Sequence, residues 1–217
     1  MSHFTVLVFS NNGGEDLKEL LAPYDENITM EPYIEYTKKQ IIEKVRKEIE
    51  DYRDHGYYAE YIKDPQKYKE LHGDNKKHID YLENEFPKEL NWTDEQCYES
   101  EARWYGGDKI DADGNLLSTY NPKSKWDWYS VGGRWSGGLT MIDGTEVNAC
   151  DVCMIDWLKT PVPFAFVTPD GEWHERGEMG WWATVTNEKE QSGWEDEFRK
   201  AIADLVGAYV TLVDCHI

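Results

Sequence analysis

The two ends of the chain constrain the fold most strongly, because each is a short run rich in β-branched and aromatic residues. Residues 3–9 read HFTVLVF and stop at the turn-forming SNNGG, which predicts a buried strand. Residues 208–217 read AYVTLVDCHI, and their alternation predicts a closing strand. We expect these two strands to lie at the centre of a sheet.

Residues 33–100 have a different, charged composition. Apolar side chains recur there at steps of three and four, as on one face of a helix, at Ile41, Val45, Ile49 and Tyr52. The pair Asp64 and Pro65 is typical of the cap and first turn of another helix. The segment therefore reads as a helical insertion within one domain that spans residues 1–217.

The remainder of the chain is rich in tryptophan and in turns, which favours sheet. Of the ten tryptophans, eight lie between residues 126 and 194. Asp-Gly pairs at 113–114, 143–144 and 170–171 predict turns, and the last pair predicts a hairpin. MGWWATV (179–185) predicts a further strand. Ser192 and Glu195 form a capping pattern before a helix that ends near Gly207.

Together these elements predict an α+β fold with a mainly antiparallel sheet, in which the N- and C-terminal strands are central, plus the charged helical insertion. The apolar run at the start of the chain is too short for a signal peptide, and no run of about twenty apolar residues occurs, so we expect no membrane segment.

The charge of the chain limits its partners. Asp and Glu number 43 against 23 Lys and Arg, a formal charge of −20. Proteins that bind nucleic acid by general attraction use clustered basic residues, so direct nucleic-acid binding is not expected. Any anionic ligand must be held by local groups. An acidic surface that imitates DNA toward a basic partner stays an alternative.

The segment KWDWYSVGGRWSGG (125–138) is the main candidate for a ligand site. Strand alternation would place Trp126 and Trp128 on one face and Tyr129 on the other. Glycine amides approach phosphate oxygens closely, arginine binds them through several donors, and indole rings stack on bases. The predicted ligand-binding residues are Trp126, Trp128, Tyr129, Gly132, Gly133, Arg134, Trp135 and His174. Alternatively, the glycines form a bulge, the tryptophans fill the core and Arg134 pairs with Asp127 or stacks on a tryptophan.

Histidine and cysteine offer further chemistry. His174 lies near Glu172 and Glu175 in sequence and could serve as an acid or base. If the terminal strands pair, His3 and His216 could meet, but sequence does not give the register.

A zinc site can be drawn from Cys150, Cys153, Cys215 and His216. Its ligands come from distant segments, so reduced, buried thiols are preferred. No metal or other cofactor is therefore expected.

Four segments of the chain carry a resemblance: MSHFTVLVFS, KWDWYSVGGRWSGG, GEWHERGEMGWW and TLVDCHI. Through them the chain resembles a family of bacteriophage and prophage proteins without an assigned activity. The resemblance covers the first strand and most of the C-terminal half, and it brings no catalytic residues. It implies a protein of the host cytoplasm that counters host defence, one way being to sequester a signalling nucleotide.

Three functions follow from these patterns. The first is a protein that binds a small nucleotide-like ligand without turnover, through Arg134, the glycines and the tryptophans. The second is an acidic inhibitor of a host defence protein, and the third is a nucleotide-modifying enzyme that uses His174. A homo-oligomer is compatible with each.

Overall fold

The computed structural model describes residues 2–180, 182 and 184–217. It contains two compact units. The first is formed by Met1–Thr29 and Tyr120–Ile217, and the second by Met30–Thr119, which includes the predicted helical segment.

The strands are short except for the first and the last. In chain order they are β1 (His3–Ser10), β2 (Tyr33–Tyr36), β3 (Leu116–Ser118), β4 (Trp128–Val131), β5 (Leu139–Thr140), β6 (Glu146–Val147), β7 (Ala149–Asp151), β8 (Ala165–Val167), β9 (Trp173–Glu175), β10 (Glu178–Met179), β11 (Val185–Thr186) and β12 (Tyr209–His216).

The α-helices lie mostly in the second unit. They are α1 (Leu17–Leu21), α2 (Lys38–His55), α3 (Tyr57–Lys63), α4 (Pro65–His72), α5 (Lys76–Asp80), α6 (Phe86–Glu89), α7 (Asp94–Tyr105) and α8 (Gln191–Ala203), with a π-helical turn at Tyr81–Glu85. In the described part of the chain, no helix has the length and apolarity needed to span a membrane.

The main sheet of the first unit has the strand order β4-β12-β1-β8-β9, and β7 also pairs with β12. β1 and β12 run antiparallel along their whole length, from the pair His3 and His216 to the pair Ser10 and Tyr209. β8 is parallel to β1, and the other pairings are antiparallel. The predicted α+β class and the central position of the terminal strands are therefore confirmed.

Both faces of this sheet are covered, because the side chains of β1 and β12 alternate between two cores. On one side, here called the α8 face, Leu7 and Leu212 pack with Trp194 and Phe198 of α8. The opposite side, the α1 face, contains Val6, Val213 and Leu21, among others. Burial of large apolar side chains on both faces is the main stabilising contribution to this unit.

Several local predictions were wrong. Met179 and Val185, predicted in one strand, belong to two strands that pair with each other, β10 and β11, while Trp181 and Ala183 of that segment lie outside the described residues. Ser192 does not cap α8, because that helix begins one residue earlier and its N-cap, Glu190, makes no side-chain bond.

The predictions of two turns and of the apolar face of α8 are confirmed. The predicted turns at 143–144 and 170–171 join β5 to β6 and β8 to β9. The face of α8 that was predicted to be apolar is buried in the structure at Trp194, Phe198 and Ile202.

The second unit is built around the predicted amphipathic helix, α2. Ile41 and Val45 are buried on one face of α2, and ion pairs such as Lys44 with Glu101 join it to α7. The predicted cap at Asp64 is present, because its carboxylate accepts a hydrogen bond from the amide of Lys67.

The capping box at the start of α2 offers a test of helix stability in this unit. Thr37 Oγ1 accepts from the Gln40 amide, and Gln40 Oε1 accepts from the Thr37 amide at 2.9 Å. Thr37→Ala is expected to lower the free energy of unfolding by about 1 kcal/mol, because the Gln40 amide loses its acceptor. Urea unfolding measures the change. Thr37→Ser keeps the hydroxyl, so this variant should retain most of the stability that Thr37→Ala loses. An equal loss of stability in both variants would contradict the capping argument.

Candidate active site

The segment 125–138, rich in tryptophan and glycine, contains β4 and the 3₁₀ turn Gly133–Trp135. Its aromatic residues lie in two different environments. Trp126 is buried on the α1 face, where its Nε1 donates to the Leu21 carbonyl at 3.2 Å. Tyr129 packs edge-on against Trp126, with ring centroids 5.0 Å apart. These two predicted ligand residues are part of the core. The predicted alternation was wrong here because the strand starts only at Trp128.

Trp128 lies on the α8 face and is the exposed aromatic residue of β4. Its side chain is 45% exposed, so part of the indole faces solvent. The other part is stacked on the His216 ring, with centroids 5.0 Å apart and planes 16° apart. The His3 ring meets the same indole edge-on at 5.3 Å. Of the predicted tryptophans, Trp128 is the one placed to stack on a ligand.

The glycines of this segment allow close packing of side chains against the backbone. Gly132 and Gly133 both have positive φ. A Cβ on Gly132 would lie 2.6 Å from the side chain of Asn148, and a Cβ on Gly133 would overlap the side chain of Asp214. The Gly132 amide donates to the Leu212 carbonyl at 2.8 Å. The prediction that Gly132 offers its amide to a ligand was therefore wrong.

Arg134 and Trp135 follow in the turn, where Arg134 is exposed and Trp135 is partly buried. The Arg134 amide donates to Asp214 Oδ2 at 3.0 Å, while its exposed guanidinium forms no ion pair with a described residue. The alternative pairing of Arg134 with Asp127 is absent from the described ion pairs, because Asp127 binds His216 instead. Trp135 is half-buried against the α8-face core.

His174 lies far from these residues. It is in β9, at one edge of the main sheet, whereas Trp128 is in β4 at the other edge. Four strand spacings amount to roughly 19 Å. The His174 ring stacks on Phe166 at 4.6 Å, and its nitrogens lie 3.8 Å from Glu172 and 3.6 Å from Glu197.

Glu175, the other carboxylate predicted to assist His174, binds Lys125 instead, at 2.6 Å. The structure thus places His174 outside the candidate site.

The pairing of the first and last strands creates a cluster that sequence alone only suggested. His3 of β1 lies directly opposite His216 of β12, and Trp128 of β4 lies opposite His216 on its other side. Their rings share the α8 face, beyond the apolar pair Leu7 and Leu212. The two imidazole centroids are 4.9 Å apart.

Each of the two histidines is held by its own carboxylate. His3 Nδ1 is 2.8 Å from Asp214 Oδ1, and His216 Nδ1 is 2.7 Å from Asp127 Oδ1. Ionised carboxylates only accept hydrogen bonds, so each Nδ1 carries the proton and each ring is fixed in one orientation. Asp214 is buried and accepts from the Arg134 amide as well, which fixes its own position.

The other ring nitrogen of each histidine, Nε2, forms no hydrogen bond with a described residue. His216 Nε2 is buried and has no hydrogen-bond partner among the described residues. His3 Nε2 also has no hydrogen-bond partner there, and the side chains of His3 and His216 are 7% and 8% exposed. Buried polar atoms in proteins are almost always hydrogen-bonded, so this unpaired nitrogen is one that a bound water or a ligand atom would satisfy.

The sequence alone did not reveal the two carboxylates. Asp214 and Asp127 carry no motif, and nothing in their spacing marks them as partners of histidine. The alternation in VDCHI places Asp214 on the same strand face as His216 and would have been the available signal, once the register was known.

The zinc site drawn from sequence is not assembled. Cys150 lies opposite Val210 in the sheet, five residues and about 16 Å along β12 from Cys215. Cys215 points into the α1 face, away from His216, and burial raises the pKa of its thiol. Within the described residues, no group of three or more His, Cys, Asp or Glu side chains has the geometry to hold a metal ion.

The candidate site is thus a pair of carboxylate-bound histidines beside a partly exposed indole, with the Arg134 amide bound to one of the two carboxylates. No protein-family model, curated protein or solved structure matches the chain. The resemblance to bacteriophage proteins stays a prediction.

Proposed function

We propose that the protein is an enzyme that cleaves a phosphate ester of a nucleotide-like ligand, with His3 and His216 as its acid and base. The observation that carries the proposal is the juxtaposition of two imidazoles, 4.9 Å apart, whose Nδ1 atoms are each bound by a carboxylate. A carboxylate on Nδ1 orients the ring, leaves Nε2 for proton transfer and stabilises the protonated imidazole.

Two histidines are suited to ester cleavage because that reaction takes up one proton and releases another. We assign His3 as the base, which removes a proton from water through Nε2 as the water oxygen bonds to phosphorus. His216 donates a proton from Nε2 to the leaving oxygen as the phosphorus–oxygen bond breaks, which requires the stacked Trp128 ring to shift so that the buried Nε2 can reach the substrate. With a phosphodiester as the substrate, the products are a phosphomonoester and an alcohol, and the proton taken from water by His3 balances the proton given to the leaving oxygen by His216.

The residues around the pair favour a nucleotide-like substrate. The exposed part of the Trp128 indole can stack on a base, at about 1–3 kcal/mol for a base on an aromatic ring. Arg134 belongs to the turn whose backbone amide binds Asp214. Its guanidinium has no ion-pair partner among the described residues, so this group is available to bind a phosphate. These local groups are required because the net charge of −20 disfavours anions.

Sequestration without turnover is the second candidate. The burial of His216 Nε2 favours it, because a nitrogen shielded from solvent exchanges protons slowly and is a poor acid or base for turnover. The resemblance to bacteriophage proteins supports either activity as a means of removing a host defence nucleotide in the host cytoplasm.

Mass spectrometry of the small molecules released from purified, denatured protein distinguishes the two candidates. The protein is expressed with and without a nucleotide-producing defence system, as wild type and as His216→Gln. Cleavage predicts product, or nothing, from the wild type and an intact nucleotide from the variant. The same intact nucleotide from both would support sequestration, and nothing from either would contradict both.

Arg134→Ala is expected to weaken binding of that nucleotide about tenfold, because one charge-assisted contact to phosphate is lost. Titration calorimetry with the His216→Gln background avoids turnover during the measurement. Arg199→Ala, which removes another exposed arginine on α8, is the matched control and should leave affinity unchanged. Equal affinity of all three proteins would exclude Arg134 from the site.

A further inference from the structure

The second unit contains a surface cavity of about 320 Å³ that the proposed function does not use. It lies between α2, the π-helical turn and α7. Aromatic rings form much of its wall, from Tyr52, Tyr81, Phe86 and Trp92. The rings contact each other at their edges: Tyr52 is 4.7 Å from Phe86 and 6.1 Å from Tyr81, measured between centroids. The faces of aromatic rings carry negative potential and attract cations.

One carboxylate in this wall has no positive partner. Glu89 is half-buried and accepts a hydrogen bond from the Tyr81 hydroxyl at 3.0 Å. No Lys, Arg or His in the described residues forms an ion pair with it. Burial raises the pKa of Glu89, and Glu85 adds to the effect. A carboxylate held away from water without a cation is an incomplete arrangement that a bound cation would complete.

The other charged groups of the wall are already engaged. Glu101 binds Lys44 at 2.6 Å and the Tyr105 hydroxyl at 2.7 Å, and Glu48 lies 4.0 Å from the same lysine. The Arg103 guanidinium sits over the exposed ring of Trp104 at 5.3 Å. Glu89 is therefore the carboxylate in the cavity that is left for a ligand.

We propose that this cavity binds the head group of an alkylammonium compound, with the positive charge beside Glu89 and the methyl groups against Tyr52, Tyr81 and Trp92. An aromatic wall and a single carboxylate suit a quaternary ammonium better than a metal ion, which needs several oxygen ligands. The π-helical turn at Tyr81–Glu85 helps to form this wall, since Tyr81 is its first residue. Such turns are frequent at functional sites.

Titration calorimetry with choline tests the proposal, and 3,3-dimethylbutan-1-ol, its neutral isostere, isolates the effect of charge. Choline is expected to bind saturably and at least about tenfold more tightly than the alcohol. Glu89→Gln should remove this preference for the cation, while its amide oxygen still accepts from Tyr81. Trp92→Leu should weaken choline binding through loss of an aromatic ring.

Glu99→Gln removes an exposed carboxylate of α7 that does not line the cavity, and it should leave choline affinity unchanged. Circular dichroism checks that each variant keeps its helices. The proposal is overturned if choline shows no saturable binding, if the alcohol binds equally well, or if Glu89→Gln and Glu99→Gln have the same affinity as the wild type.

Discussion

His216→Gln is expected to lower the rate of phosphate-ester cleavage by about 10²- to 10⁴-fold, the range that one general acid or base contributes. Glutamine cannot exchange a proton near neutral pH, so the leaving oxygen departs unprotonated. Binding should persist, because Trp128 and Arg134 are unchanged. Single-turnover cleavage of the nucleotide identified by mass spectrometry measures the rate, and calorimetry measures affinity.

His174→Gln is the matched control, since it changes a half-buried histidine at the opposite edge of the same sheet. Its rate should equal that of the wild type. Asp127→Asn should lower the rate without abolishing it, because Asp127 positions His216 and does not touch the substrate. Cleavage that survives in His216→Gln but disappears in His174→Gln would show that the acid–base pair lies elsewhere.

Gly133→Ala is expected to destabilise the first unit by about 2–4 kcal/mol. Its φ of 50° is unfavourable for alanine, and the added Cβ would overlap the Asp214 side chain and lie 2.6 Å from Ser130 Oγ. Asp214 is buried and cannot move toward solvent without breaking its bond to His3. The variant should therefore also lose cleavage activity. Urea unfolding followed by tryptophan fluorescence measures the stability change.

Gly144→Ala separates the two causes of the stability loss expected for Gly133→Ala, which are the unfavourable backbone conformation and the steric overlap of the added Cβ. Gly144 also has positive φ, but a Cβ there would meet no atom within 4 Å. A loss of about 1 kcal/mol with full activity is expected from the backbone conformation alone. If the two variants lost equal stability, close packing against Asp214 would not be the reason for glycine at position 133.

The sequence predicted the elements whose signals are local. The apolar runs at both ends are the central strands, the spacing of Ile41 and Val45 marked α2, and the pair Asp170 and Gly171 marked a hairpin. These predictions succeeded because burial pattern and turn chemistry act over a few residues. The MGWWATV segment was misread because an apolar run does not reveal where the chain reverses.

The candidate site could be predicted only in part. The sequence marked Trp128 and Arg134 by composition, but it gave equal weight to Trp126 and Tyr129, which are core residues. Their separation depends on where β4 begins, since a shift of one residue exchanges the two faces of a strand. His174 was a plausible base until the strand order placed it at the other edge of the sheet.

The sequence by itself determined that two apolar strands would join the ends of the chain in one sheet, and it supplied two histidines, one in each strand. Only the tertiary structure decided that these histidines meet and that Asp214 and Asp127 hold them. The physical reason is register: pairing between residues 3 and 216 is fixed by the packing of both sheet faces along the whole of β1 and β12, and no local pattern encodes it.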